Sequence, residues 1–228
     1  MPVAGITASI ALNKARVDKT ASVFIAGGAG GAGTFTILLA RQLGVRNLVT
    51  TAGNAKSRDY LIADCGLSDD QIIDYKNGSF IEQAMQHNGG GFDVSWIWLV
   101  AICFPLVAYY SRWTAISPRL PKHRARMISR PCSKRMRRFS PWGANASSLT
   151  NDRAIWRKYR EVRDHLSQHF DSGALAPPRI PILGGLSSEV VTRAHALLEN
   201  NAVQGKLIMT CSPGAAHALG CWASRISW

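Results

Sequence analysis

The chain has 228 residues, of which 46% are hydrophobic, and this suits one or two domains with a sizeable buried core. Its formal net charge is +13, but ten Lys or Arg residues and no Asp or Glu fall within residues 94–151. The excess positive charge is therefore concentrated in this one segment, which excludes a protein that is basic along its whole length. The start, Met1 to Ala4, lacks the basic region and long apolar core of a secretory signal peptide, so we expect a cytoplasmic protein.

The first clear pattern runs from Val23 to Leu43 and predicts a strand, a glycine turn and a helix. Its glycines fit the spacing G-x-G-x-x-G, in which the first makes a tight turn, the second lets the backbone approach a diphosphate, and the third lets helix pack on strand. The helix N-terminus adds free N–H groups and a partial positive charge. A purely structural glycine turn is the alternative. The predicted cofactor-binding residues of this turn are Gly28, Gly30, Gly31, Ala32 and Gly33.

Strands and helices alternate after the turn. Gly44 stands where a helix C-cap belongs, and the following residues predict a strand over 45–51, a helix around Leu61 and Ile62, a strand over 71–75, a helix over 80–87 and a fourth strand from Phe92. This alternation predicts an α/β protein with a doubly wound parallel sheet of Rossmann type. Ligands of such sheets bind at the carboxyl ends of the strands. We expect Asp93 near that crevice, where a strand-edge carboxylate usually binds backbone.

Five segments together resemble the medium-chain dehydrogenase/reductases, especially the quinone reductase and zinc-type alcohol dehydrogenase branches. They are Pro2–Ala8, Gly27–Gly33, Ile72–Lys76, Gly91–Val94, and Ala194–Leu198 with Gly205–Leu207. The resemblance covers roughly residues 1–95 and 143–209. It implies an NAD(P)-dependent oxidoreductase that acts on a small molecule, namely a quinone, an enone or an alcohol or carbonyl compound, and that forms a homo-oligomer.

In that family the Pro-x-Ala-Gly-x-Thr-Ala segment follows an N-terminal catalytic domain, whereas this chain opens at the segment. The resemblance therefore implies that the chain is the cofactor-binding part, and we expect no turnover from it as written. Two other functions stay open: a non-catalytic nucleotide-binding module, and a basic nucleic-acid-binding protein, for which no recognised module is present.

Metal-binding and catalytic patterns are not evident. The cysteines are scattered singly without C-x-x-C spacing, so we predict no zinc site in this chain. The histidines form no H-E-x-x-H array, and no catalytic residue is predicted. These residues are Cys65, Cys103, Cys132, Cys211 and Cys221, and His87, His123, His165, His169, His195 and His217.

The segment 96–142 is apolar over Trp96 to Tyr110 and then rich in Arg, Lys, Ser and Pro. A membrane anchor needs about 20 apolar residues, more than this run contains. A basic arm for nucleic acid and a solvated insertion are further explanations. We favour a shifted reading frame that is restored near Gly143, where the resemblance resumes. Under this interpretation the sheet is incomplete after its fourth strand.

The cofactor type is read from the residues that follow the second strand. An NAD site places an acid about 20 residues beyond the glycine turn, but residues 50–58 contain none. Lys56 and Arg58 could instead pair with a 2′-phosphate, which favours NADP over NAD; exposed helix-start residues are the alternative. The predicted domains are 1–150, which binds the dinucleotide, 151–211, which holds C-terminal helices and a return strand, and a tail at 212–228.

Overall fold

A computed structural model describes residues 2–77, 80–97, 113–116, 138–141, 153–200 and 202–211. The tail at 212–228 and most of the segment 96–142 lie outside these described residues. The chain divides into two compact units, Met1–Pro177 and Pro178–Trp228. Whether the three predicted domains are the right division stays a prediction.

The first unit alternates strands with helices. Its helices are α1 (Pro2–Ala15), α2 (Gly31–Gln42), α3 (Ala55–Ala63), α4 (Phe80–Asn88) and α5 (Arg153–Asp171), and a 3-10 helix spans Asp69–Gln71. Its strands are β1 (Val23–Ala26), β2 (Leu48–Ala52), β3 (Ile72–Asp74), β4 (Val94–Ile97), β5 (Trp113–Ile116) and β6 (Arg138–Pro141).

All six strands form one parallel sheet in the order β3-β2-β1-β4-β5-β6. The order reverses between β1 and β4, which is the switch point of a doubly wound sheet. The predicted fold class is confirmed. The expectation that the sheet stops after β4 is wrong, because β5 pairs with β4 and β6 pairs with β5. A parallel ladder uses backbone groups, so two stretches of four residues suffice to extend it, whatever their side chains.

Side chains of β1 enter the core on both faces of the sheet. Val23 and Ile25 belong to the large buried cluster that includes residues of α1, α2 and α3. Phe24 points to the other face, where its ring lies 5.4 Å from the ring of Phe92. A strand that is buried on both faces has a continuous apolar sequence rather than an alternating one. The run Val23 to Ala26 has this pattern.

Helix α1 packs against α2 and α5. A Cβ atom placed on Gly5 would lie 3.2 Å from Leu166 of α5 and 3.5 Å from the ring of Phe35, so the small residue lets the helices approach closely. The sequence does not predict α1, because its apolar and small residues show little helical periodicity. Helix α5 is one of the C-terminal helices predicted within residues 151–211, and its Trp156 is 47% exposed.

The second unit contains β7 (Ile182–Gly185), α6 (Ser188–Glu199) and β8 (Ile208–Thr210). The two strands are parallel. Ser187 caps α6 by accepting a hydrogen bond from the backbone N–H of Val190 at 3.2 Å.

Candidate cofactor-binding site

The glycine turn lies at the carboxyl end of β1, next to the switch point of the sheet. Gly27 has a φ of +80°, which is the left-handed region, so the tight turn begins one residue earlier than predicted. Gly30 is the N-cap of α2, with φ −76° and ψ 161°, and it has no side chain to cap the helix. The N–H groups of the first turn are therefore left for another acceptor.

The predicted glycines are required for different reasons. A Cβ on Gly28 would overlap Thr50 Oγ1 and lie 2.8 Å from Ile37 Cδ1. A Cβ on Gly33 would overlap the carbonyl oxygen of Gly27, which confirms close packing of helix against strand. A Cβ on Gly30 would meet only that same oxygen, at 3.3 Å. Packing within the described chain therefore leaves space in front of Gly30.

Buried hydroxyl groups hold the turn in place. Thr51 Oγ1 accepts a hydrogen bond from the N–H of Gly27 at 3.0 Å. Thr34 Oγ1 donates to the carbonyl of Gly28 at 3.1 Å, and the hydroxyl of Tyr60 donates to Thr34 Oγ1 at 3.3 Å. The sequence predicts no role for these hydroxyl groups; around Thr51 it shows only that an acid is lacking. These hydroxyls pre-organise the turn, because buried backbone groups need partners.

The end of β2 lies at the same edge of the sheet. Asn54 caps α3 by accepting a hydrogen bond from the N–H of Ser57 at 2.8 Å, and Lys56 is exposed in the first turn of that helix. A Cβ on Gly53 would overlap the ring of Tyr75, so the ring lies directly on this glycine. Lys56 and Tyr75 thus lie beside the carboxyl end of β2. Tyr75 is not among the site residues predicted from the sequence.

Arg58 has partners within the protein. Its Nε donates to Asp69 Oδ1 at 2.5 Å, its Nη1 to the carbonyl of Ile72 at 2.8 Å, and its Nη2 to the carbonyl of Asp69 at 2.9 Å. The hydrogen bond with Asp69 raises the pKa of Arg58, and Arg58 lowers the pKa of Asp69. All three nitrogens thus donate to groups around the start of β3, so Arg58 holds this connection in place, and its predicted contact with a 2′-phosphate stays a prediction, as does that of Lys56.

Asp93 is not near the crevice. It precedes β4, and Val94 pairs with Val23, so Asp93 lies at the amino ends of the strands. It accepts hydrogen bonds from the hydroxyl of Ser22 at 2.8 Å and the N–H of Ser22 at 3.1 Å. The expected location was wrong because the strand begins one residue after Asp93, whereas the expected bond to backbone is present.

A cavity of about 500 Å³ lies at the opposite edge from the glycine turn. Its lining includes Val45 and Arg46, which precede β2, and Ser68, Asp70 and Gln71, which precede β3. In the described part of the chain no group of three or more His, Cys, Asp or Glu could hold a metal, and no helix is long and apolar enough to cross a membrane.

Comparison with known proteins finds no matching family model, but it finds curated relatives. A lovastatin diketide synthase of Monascus pilosus is 36% identical over 221 residues, and a highly reducing polyketide synthase of Emericella nidulans is 28% identical over 211 residues. The matches cover 92% and 87% of this chain. The chain spans 8% of the length of each of these relatives.

Solved structures share the fold. CurA of Vibrio vulnificus in complex with NADPH and the CurK enoyl reductase each superpose with a TM-score of 0.70, at 20% and 18% identity. A quinone oxidoreductase of Coxiella burnetii superposes with a TM-score of 0.64 at 25% identity. These similarities confirm the resemblance to the medium-chain dehydrogenase/reductases that the sequence indicates. The matches cover 92–93% of this chain and 59–63% of the three solved chains.

The described residues place the predicted glycines and Lys56 at one edge of the sheet. The glycine turn and the first turn of α2 follow β1, and Lys56 follows β2, its neighbour in the sheet. The resemblance inferred from the sequence is thereby confirmed, whereas the contacts of individual residues with a cofactor stay predictions.

Proposed function

We propose that this chain is the cofactor-binding part of an NADPH-dependent enoyl reductase within a reducing polyketide synthase. The observation that carries the proposal is the open approach to Gly30 at the N-terminus of α2. A Cβ on Gly30 would meet a single atom of the described residues, and such an open position at the switch point of a doubly wound sheet is suited to a diphosphate.

The first turn of α2 would hold the diphosphate. The N–H groups of Gly31, Ala32 and Gly33 belong to this turn, and Gly30 provides no competing side chain. The α2 dipole favours a negative charge at the same place. The hydrogen bond from Gly27 to Thr51 keeps the turn in one conformation, so little ordering free energy is lost on binding.

Lys56 would bind the 2′-phosphate that distinguishes NADPH from NADH. It is exposed at the end of β2, where an NAD site would carry an acid that repels such a phosphate. The ring of Tyr75 lies on Gly53 at the same edge and offers a hydroxyl group there. Because Arg58 is engaged with Asp69 and Ile72, the preference for NADPH depends on Lys56.

The bound nicotinamide would supply a hydride, and the role of the described residues is to position the cofactor. An enoyl group is proposed as the acceptor because the curated relatives are polyketide synthases, three of them named as highly reducing, and a solved protein of similar fold is an enoyl reductase. A quinone is the second candidate acceptor, since a quinone oxidoreductase is among the solved structures at 25% identity.

The cofactor assignment is tested with the chain as it stands. Binding of 2′,5′-ADP and of 5′-ADP is measured by calorimetry for the natural protein and for Lys56→Glu. We expect the natural chain to prefer 2′,5′-ADP and the variant to lose that preference. Lys19→Glu is the matched control, since Lys19 is also exposed but precedes β1. Equal effects of Lys56→Glu on both ligands would contradict the assignment.

The acceptor class is tested by consumption of NADPH with a crotonyl thioester and with 1,4-benzoquinone, using the synthase that contains this chain. Faster consumption with the thioester is expected. Faster consumption of NADPH with 1,4-benzoquinone would instead favour a quinone as the acceptor.

A further inference from the structure

The described residues contain a pair of histidines to which neither the fold nor the cofactor site gives a role. His165 and His169 lie four residues apart on α5 and therefore on one face of the helix. Their Nε2 atoms are 3.2 Å apart, and their ring centroids are 4.3 Å apart with the planes at 81°. In the sequence this segment reads His-Leu-Ser-Gln-His, so it lacks the glutamate of the H-E-x-x-H motif.

We propose that His165 and His169 together bind one divalent transition-metal cation, such as Zn²⁺, through their Nε2 atoms. Two nitrogens 3.2 Å apart, each about 2.05 Å from a shared ion, subtend an angle of ~100° at that ion. This angle lies close to the tetrahedral geometry that Zn²⁺ prefers. The nitrogens are therefore already spaced for chelation, and the helix backbone does not need to move.

The side chain of Gln42, at the end of α2, supplies the outer contact that a ligating histidine needs. Its Nε2 lies 2.6 Å from His169 Nδ1. When His169 Nε2 binds an ion, its proton resides on Nδ1, which then requires an acceptor. A half-turn of the Gln42 amide places its oxygen there, because the two ends of an amide have nearly the same shape. Such outer contacts orient the ring and increase metal affinity.

The chemistry of the pair is cation binding and not hydrolysis. Leu166 stands where H-E-x-x-H carries its glutamate, and it is 2% exposed and packs toward Gly5 of α1. The pair thus lacks the general base of the metalloprotease motif. With two protein ligands the remaining coordination positions are left to water, so the ion exchanges more readily than one held by four protein ligands.

Zinc binding is measured by calorimetry on the full chain without a polyhistidine tag. Exposed Cys211 is a competing ligand, so thiols are first alkylated with iodoacetamide. We expect one Zn²⁺ to bind, with His165→Asn or His169→Gln weakening the affinity roughly tenfold or more. His195→Asn is the matched control, since His195 is an exposed helical histidine without a histidine four residues away, and it should bind like the natural chain. Natural affinity in His165→Asn would overturn the proposal.

Two further measurements separate chelation from a change in folding. The electron paramagnetic resonance of bound Cu²⁺ should show two imidazole nitrogens in the natural chain and one in His165→Asn, while circular dichroism confirms that both are folded. Gln42→Leu keeps both ligands and should weaken zinc binding about tenfold, whereas Gln42→Glu should restore or strengthen it. A nitrogen count that does not change in His165→Asn, or no binding of either metal to the natural chain, would refute the site.

Discussion

Replacing Gly30 by aspartate is expected to stabilise the fold while it removes cofactor binding. Gly30 is the N-cap of α2, and its φ of −76° and ψ of 161° are the extended values that a capping Asp adopts. A Cβ at this position meets only the carbonyl oxygen of Gly27, at 3.3 Å. The carbonyl of Gly27 has to shift by a few tenths of an ångström, after which the new carboxylate can accept hydrogen bonds from the first turn of the helix.

The effects of Gly30→Asp on the stability of the fold and on cofactor binding have opposite signs and different sizes. An Asp cap exceeds a Gly cap by a few tenths of a kcal/mol, and a negative charge at the helix N-terminus adds about 0.3–1 kcal/mol. For a chain of this length the melting temperature should rise by about 2 °C. The carboxylate also takes the N–H groups that would bind the diphosphate. Loss of two hydrogen bonds to a charged group, about 1.5–3 kcal/mol each, weakens NADPH binding roughly 10²- to 10⁴-fold.

Calorimetric titration with NADPH and thermal unfolding followed by circular dichroism measure both quantities on one sample. Gly30→Asn is the matched control, because it caps the helix equally well without the charge. It should raise the melting temperature similarly and weaken binding less than Gly30→Asp does. Unchanged NADPH affinity in Gly30→Asp, or a melting temperature several degrees lower, would refute the reasoning about this turn.

Three further predictions concern the supports of the site. Gly33→Ala should lower the free energy of unfolding by about 1–2 kcal/mol in urea, because the overlap with the backbone of Gly27 outweighs the better helix propensity; an unchanged midpoint would contradict this. Thr51→Val removes the acceptor of a buried N–H and should cost about 1–3 kcal/mol, with faster amide hydrogen exchange at Gly27 as the specific sign. Because Arg58 lowers the pKa of Asp69, their pairing stabilises the fold above the ordinary Asp pKa of about 3.9 and is lost as the pH falls through the lowered value. Asp69→Asn should therefore flatten the acid limb of a stability–pH curve, and a limb of the same steepness would show that the pair contributes nothing.

Much of the fold could be predicted because its signals lie within short stretches of sequence. The apolar run Val23 to Ala26, the glycines after it and the helical spacing beyond Gly33 together specify strand, turn and helix. Gly44, with a φ of +85°, follows α2 where the sequence placed a helix end. Such features depend on backbone sterics and local periodicity, which neighbouring residues determine among themselves.

Residues far apart in the sequence decided the rest. The carboxylate of Asp93 finds its partner in Ser22, 71 residues earlier, and Arg58 finds Asp69, 11 residues later. No spacing rule predicts either pair, because each depends on the register in which parallel strands and their connections pack. The extension of the sheet by β5 and β6 is of the same kind. The sequence by itself determined the βαβ alternation and the glycine turn. Only the tertiary structure decided which polar side chains are hydrogen-bonded within the protein and which, like Lys56, are exposed, because packing between distant segments sets those contacts.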